Sequence, residues 1–351
     1  MTAARTPAFK TNAGRFFEDY QVGQVIRHAV PRTVSGGERA LYHALYPARS
    51  ALYSSDSFAI GCGLPASPLD DLAAFHLVFG KTVPDVSLNA VANLGYAEGR
   101  WHLPVYAGDT LRAESEVIGV KQNSNGASGV VYVRTRGLNQ HGQVVLEYVR
   151  WVMVRKNRLD APTPDANVPE LQKVVPAADL VIPPGLDFSN YDFTLAGEPH
   201  RWGDYQIGEK IDHVDGVTIE EAEHMIATRL WQNTAKVHFD ATFREDGKRL
   251  IYGGHVISMA RALSFNGLAN AQMIVALNAG AHANPCFAGD TVRAWSEVLD
   301  KAMTAAPGVG ALRLRLVAVK QGAEPFALKG ADGKYLPEVL LDLDYWALMP
   351  I

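Results

Sequence analysis

Eight consecutive residues, Asn233-Thr234-Ala235-Lys236-Val237-His238-Phe239-Asp240, set an amide, an imidazole and a carboxylate within one short stretch. An imidazole titrates near neutral pH, so His238 suits either the removal of a proton from water or the delivery of one to carbon. Asn233 cannot take up a proton, but its amide can hold a water or a carbonyl oxygen. Asp240, two residues on, would share a face with His238 in extended chain and orient the ring. Downstream, Gly253-Gly254-His255 precede a helical run. Glycines there let backbone N–H groups at a helix N-terminus approach an oxygen that gains negative charge, or they simply make a tight turn. His255 is either substrate-facing or a capping or exposed residue. A base, an acid and an anion stabiliser are what addition of water to an activated double bond requires, and that reaction calls for no metal or redox cofactor.

The stretch stands out because most of the chain is written twice and this part is not. Asp19-Tyr20-Gln21-Val22-Gly23 returns as Asp204-Tyr205-Gln206-Ile207-Gly208, a shift of 204 − 19 = 185. Ala107-Gly108-Asp109-Thr110 returns as Ala288-Gly289-Asp290-Thr291, a shift of 288 − 107 = 181, and Trp151 pairs with Trp346 at 346 − 151 = 195. At the shift of 185 the first copy reads Ala48-Arg49-Ser50-Ala51-Leu52-Tyr53, with no imidazole. The chain therefore divides into an N-terminal copy (1–159), a Pro-rich linker (160–199) read as a passive tether, and a C-terminal copy (200–351) that carries the chemistry.

Each copy shows helical and strand patterning in the same order. In the second, Thr218 with Glu221 reads as a capping box ahead of an amphipathic helix. A further helix follows Gly254, with Val256, Met259, Ala260, Leu263, Gly267 and Leu268 on one stripe. Strands are expected at 273–277, 291–299, 311–319 and 339–348. In the first copy a helix is expected over 68–82, with Pro68 opening it, His76 in its apolar stripe and Gly80 punctuating its end. Strands should follow at 89–96, 110–119, 129–137 and 144–154. Consecutive strands with one helix apart from them make an α+β fold in which an antiparallel sheet packs on a helix, twice over.

Composition fits this arrangement. A chain of 351 residues makes two domains of ordinary size, 48% hydrophobic and 20% charged. The net charge of −4 gives no electrostatic ground for nucleic acid or an anionic membrane as partner. Cys62 and Cys286, one in each copy without paired spacing, read as buried thiols of a reducing, cytoplasmic protein.

The order of elements, the Tyr/Phe-Ala-Gly-Asp-Thr turn and the Asn-x-x-x-x-His segment resemble the MaoC-like hydratases over about residues 16–156 and 201–349. That resemblance implies a double hotdog, two copies of a long helix wrapped by a curved antiparallel sheet, with one copy catalytically degenerate. Phe16–Tyr20, Gln232–Asp240 and Ala262–Leu268 further resemble the mesaconyl-CoA hydratase branch, also called β-methylmalyl-CoA dehydratases. This implies reversible hydration of an enoyl thioester of coenzyme A, which enters as part of the substrate. The family pattern Asp-x-Asn-Pro-x-His places its His on His238, but its Asp falls on Asn233, its Asn on Ala235 and its Pro on Lys236. A dicarboxylyl substrate would also need a cation for its free carboxylate. Arg49, Arg229, Lys236 and Arg261 lie near by position, Arg49 foremost because the degenerate copy's site is open to reuse as a substrate pocket. A solvated surface Arg is the plainer reading of each. Two other functions stay open: a thioesterase on the same fold, and an acyl-CoA-binding protein without catalysis. A duplicated chain supplies its own hotdog partner, and further homodimerisation is compatible with it.

Overall fold

The structure, a computed structural model, describes residues 10–351. Its strands are β1 (Val25–Thr33), β2 (Ala90–Trp101), β3 (Thr110–Gln122), β4 (Ser128–Leu138), β5 (Val144–Arg155), β6 (Lys210–Thr218), β7 (Ile274–His282), β8 (Thr291–Met303), β9 (Val309–Lys320) and β10 (Val339–Pro350). Four helices concern the site: α1 (Gly36–Leu45), α2 (Asp71–Thr82), α3 (Glu221–Leu230) and α4 (Gly253–Leu263). All ten strands form one antiparallel sheet in the order β1-β3-β4-β5-β2-β7-β10-β9-β8-β6. With β1–β5 matched to β6–β10, the order reads the same from either end, so a pseudo-twofold axis passes between β2 and β7. There Tyr96 faces Gly280 and Gly99 faces Leu277. A Cβ on Gly99 would lie 2.7 Å from Leu277 Cβ, so the seam between copies closes tightly because residue 99 has no side chain.

Each half is a hotdog. Helix α2 packs on β1 and β3, and α4 on β6, β8, β9 and β10. Register shifts in most strand pairs bend the sheet around them. All twelve residues of α2 are buried, and so are nine of the eleven of α4. Helices α2 and α1 both meet α4 through polar atoms: His76 Nε2 and Tyr42 Oη lie 2.8 and 3.2 Å from Ser258 Oγ. His76 is thus a satisfied core histidine.

The repeated motifs prove to be turn devices. Asp109 and Asp290 accept from the backbone N–H three residues earlier, at Tyr106 (2.8 Å) and Phe287 (2.9 Å), while Gly108 and Gly289 take φ of 101° and 92°. Asp19 and Asp204 do the same for Phe16 and Arg201. Both copies also fasten their edge strand to its neighbour through a buried histidine, His28 to Ser115 and His213 to Ser296, each at 2.8 Å.

Several local expectations change. Edge strands β1 and β6 show no alternating pattern long enough to read, since each is broken by a register shift and turns few side chains inward. Thr218 does not cap α3; its Oγ1 pairs with Thr291 Oγ1 at 2.7 Å, and Glu220 stands at the cap with no side-chain bond. Helix α2 is capped by Asp70, which accepts from Leu72 N at 2.9 Å, rather than opened at Pro68. Gly80 lies inside α2. The Pro-rich segment 160–199 is no free tether: Val175, Leu186, Phe188, Tyr191 and Ala196 are buried in a core shared with residues of both halves, and Val175 N donates to Asn278 Oδ1 at 2.8 Å. Cys62 and Cys286 are both buried free thiols. Among the described residues no helix is long and apolar enough to cross a membrane.

Candidate active site

The position of Asn233 is set by how α3 ends. Gln232 takes φ +57°, Asn233 N donates back to Thr228 O (2.9 Å) and Gln232 N to Arg229 O (3.2 Å), the paired bonds of a Schellman stop. This end docks on α2 at Gly80, where a Cβ would meet the Trp231 carbonyl oxygen at 1.6 Å. The glycine read as helix punctuation is a docking surface for the segment that carries Asn233 and His238. Asn233 is 1% exposed, and its Oδ1 accepts from Ala235 N at 3.2 Å, which fixes the amide and leaves Nδ2 as the donor to offer elsewhere.

The chain then makes a single turn of helix, Lys236–Phe239, and returns so that Leu250 lies beside it. Leu250 N donates to Val237 O (3.0 Å), and Leu250 O lies 2.7 Å from His238 Nδ1. A carbonyl only accepts, so Nδ1 carries the proton and Nε2 keeps its lone pair. Burial lowers the His238 pKa to about 4, opposed by the bond to Leu250, and the ring is therefore neutral near pH 7. Asp240 does not orient it. The helical turn sends Asp240 outward, where its carboxylate accepts from Thr242 N and Oγ1 at 2.9 and 2.7 Å.

Asn233 and His238 both line a cavity of about 300 Å³ that draws on both halves. The C-terminal half adds Tyr252, Gly253 and His282, and the N-terminal half adds Phe79 and Ser87, Asn93 and Tyr96 of β2, and Arg150 of β5. Among the described residues no Asp or Glu is in the lining. Gly253 heads α4, so its N–H is a first-turn donor without an acceptor inside the helix. A Cβ there would come within 2.3 Å of the His282 ring. That ring accepts or donates at Nε2 to Tyr96 Oη, 3.1 Å away, across the seam. Tyr252 packs its ring 5.8 Å from that of His238 and sends its N–H to His224 Nε2 at 2.9 Å.

The remaining sequence candidates sit elsewhere. Gly254 is buried under the Tyr252 ring, which a Cβ would meet at 2.4 Å, and does not line the cavity. His255 is fully buried behind it, with Nδ1 3.1 Å from Tyr46 Oη, and faces no substrate space. Lys236 is exposed on the short helical turn and Arg229 is exposed on α3. Arg49 stacks over Phe265 and approaches Asp215 at 4.0 Å, at the rim of a separate space of about 30 Å³.

That small space is the first copy's counterpart of the cavity, and it is plugged. At the shift of 185, Tyr53 stands for His238, and its hydroxyl is tied to Asp71. Matching the starts of α2 and α4 (253 − 71 = 182) sets Asp71 against Gly253 and Arg261 against Phe79 (261 − 79 = 182). The Arg261 guanidinium fills the remaining room and bonds to Ser264 Oγ (2.9 Å) and the Gln272 carbonyl (3.1 Å). The degenerate copy therefore offers no pocket of its own; it contributes the end of α2 and the faces of β2 and β5 to its partner's cavity.

Arg150 was missed by the sequence reading, although a signal was there. In β5 it keeps the inward phase of Leu146, Tyr148, Val152 and Val154, and an arginine in that row of a core strand is anomalous. Its counterpart at the shift of 195 is Tyr345.

A sequence profile described as mesaconyl-CoA hydratase matches residues 4–331. The chain belongs to the mesaconyl-CoA hydratase family. It is 80% identical over 341 residues to the mesaconyl-CoA hydratase of Cereibacter sphaeroides, covering 97% of this chain and 99% of the relative. It is 57% identical over 348 residues to the β-methylmalyl-CoA dehydratase of Chloroflexus aurantiacus, covering 97% and 98%. The crystal structure of a MaoC domain protein from Chloroflexus aurantiacus superposes with a TM-score of 0.95 at 56% identity, covering 98% of this chain and 99% of that one.

Proposed function

We propose that the protein hydrates mesaconyl-CoA reversibly to β-methylmalyl-CoA, with His238 as the proton-transfer group. The observation that carries this reading is a neutral imidazole, its Nδ1 proton committed to the Leu250 carbonyl, in the wall of a cavity that no carboxylate lines among the described residues. Water enters between Asn233 Nδ2, which donates to its oxygen, and His238 Nε2, which accepts its proton. As the C–O bond forms at the β-carbon, the electrons of the double bond move toward the thioester carbonyl, and the Gly253 N–H at the head of α4 meets the charge that develops on its oxygen. The imidazolium then returns a proton to the α-carbon, so one water is added in all and His238 ends neutral. A base with a pKa of about 4 is weak in the free protein, and the negative charge forming in the cavity raises its basicity when it is needed.

The absent family carboxylate favours a single shuttle over an acid–base pair, because Asn233 can hold water without deprotonating it. The N-terminal half provides substrate walls rather than chemistry. Loss of the enoyl-thioester absorbance of mesaconyl-CoA without release of free thiol is the expected assay result; thiol release would mean hydrolysis instead. His238→Ala should lower kcat by about 100- to 10,000-fold with a much smaller change in KM. Unchanged turnover in that variant removes the mechanism even if the thioester still binds.

A further inference from the structure

Arg150 is a cation built into the cavity wall with nothing to pair it. The residue is fully buried, and its guanidinium lies over the Phe79 ring, 4.2 Å from the centroid. Nη2 donates to Thr82 Oγ1 at 2.7 Å, and that hydroxyl spends its own proton on the Phe79 carbonyl, also at 2.7 Å, so the acceptor is locked in place. Ser87 Oγ is a looser neighbour at 3.4 Å. Nε and Nη1 have no hydrogen-bond partner. Among the described residues no carboxylate forms an ion pair with Arg150, and none lines the cavity. A buried charge without a counter-charge is costly, and a wall that holds one rigidly is organised for an anion that arrives from outside. Beside it, Asn93 in the adjacent strand also lines the cavity, and both atoms of its amide lack partners. Two neighbouring polar groups, one cationic and one able to donate, thus stand unsatisfied on the same wall.

We infer that Arg150, assisted by Asn93, is the subsite for a free carboxylate on the acyl group of the substrate, supplied by the degenerate copy to the catalytic copy. The inference rests on the hydratase reading for the identity of that acyl group. In mesaconyl-CoA the free carboxylate is attached to the β-carbon, the atom that receives the hydroxyl. A guanidinium that grips this carboxylate therefore fixes the reacting carbon, in a cavity that His238 lines from the other half of the molecule. A second consequence is selectivity: an acyl chain with a methyl in place of the carboxylate leaves Arg150 buried and unpaired, and is rejected for that reason. The Arg49 subsite expected from sequence is replaced by this one. The duplication shows why, since Tyr345 holds the equivalent place in the other half and the cavity there is filled.

The test separates binding from turnover. Methylsuccinyl-CoA and 2-methylbutyryl-CoA are saturated, unreactive thioesters that differ by a carboxylate against a methyl. Calorimetry on the wild-type protein should show at least tenfold tighter binding of methylsuccinyl-CoA. Arg150→Gln should erase that preference, and Arg150→Lys, which keeps the charge but loses the fork, should retain part of it. In turnover, the kcat/KM ratio of mesaconyl-CoA to tiglyl-CoA should fall about 100-fold in Arg150→Gln. No preference in the wild-type protein overturns the proposal whether or not a variant folds, and so does an equal loss of affinity for both thioesters in a folded Arg150→Gln. A wild-type protein that prefers methylsuccinyl-CoA but adds no water to mesaconyl-CoA overturns the hydratase reading and leaves the carboxylate subsite standing.

Discussion

Acid should unfold this protein well before it protonates His238. His76, His213, His224 and His255 are each fully buried, and burial lowers their pKa values to about 3, 4, 2 and 4. In the unfolded chain they titrate near 6.5. Near pH 5.5 each is therefore about nine-tenths protonated when unfolded and almost wholly neutral when folded, so unfolding takes up between about three and four protons. Asp71 works the other way: burial, reinforced by Asp70, raises it to about 8, so it holds a proton only in the native state and offsets one of these. From these five groups a net uptake of about 2.5 protons means stability falls by about 3 kcal/mol for each unit of pH lost between 6.5 and 4.5, and His238 and His282, also lowered to about 4 by burial, steepen the fall. That is a large share of the 5–15 kcal/mol a domain typically has. Below about pH 4.5, protonation of Glu147, held at about 2 chiefly by its bond with His102, adds to the loss. Urea unfolding followed by circular dichroism at pH 7.5, 6.5, 5.5 and 5.0 measures the slope. Activity should accordingly collapse near pH 5 with more than one proton's steepness, although His238 itself titrates at about 4. A stability constant to within about 1 kcal/mol from pH 7 to pH 5 would refute the reasoning, since these four rings would then be charged, solvated or paired in the native state.

Two substitutions test how the fold serves the site. Gly80→Ala places a methyl 1.6 Å from the Trp231 carbonyl oxygen and must push the end of α3, with Asn233, away from α2; we expect a loss of about 3 kcal/mol in thermal or urea stability and about 100-fold in kcat/KM, whereas wild-type kinetics would show that the α3 terminus moves freely. Arg49→Ala removes a side chain that stacks on Phe265, approaches Asp215 and does not line the 300 Å³ cavity, so kcat and KM for mesaconyl-CoA should both stay within about twofold; a raised KM would restore Arg49 to the substrate.

The duplication, the hotdog order of elements and the segment that holds Asn233 and His238 were legible because each is a local pattern: repeated turns, helical stripes, a single imidazole where the other copy has Tyr53. Asp240, Gly254, His255, Lys236 and Arg49 followed from proximity in sequence, and proximity misled. A one-turn helix sends Asp240 outward, the start of α4 turns Gly254 and His255 into the core, and the first copy's cavity is closed by Arg261 and Tyr53. Sequence alone thus singled out the half whose Asn233 and His238 line the cavity. Only the tertiary structure decided what surrounds it, because the cavity forms where β2 and β7 join the halves, and Arg150 of one half and Asn233 and His238 of the other line it across more than eighty residues of chain. A contact of that kind depends on strand order and helix docking, which no local spacing encodes.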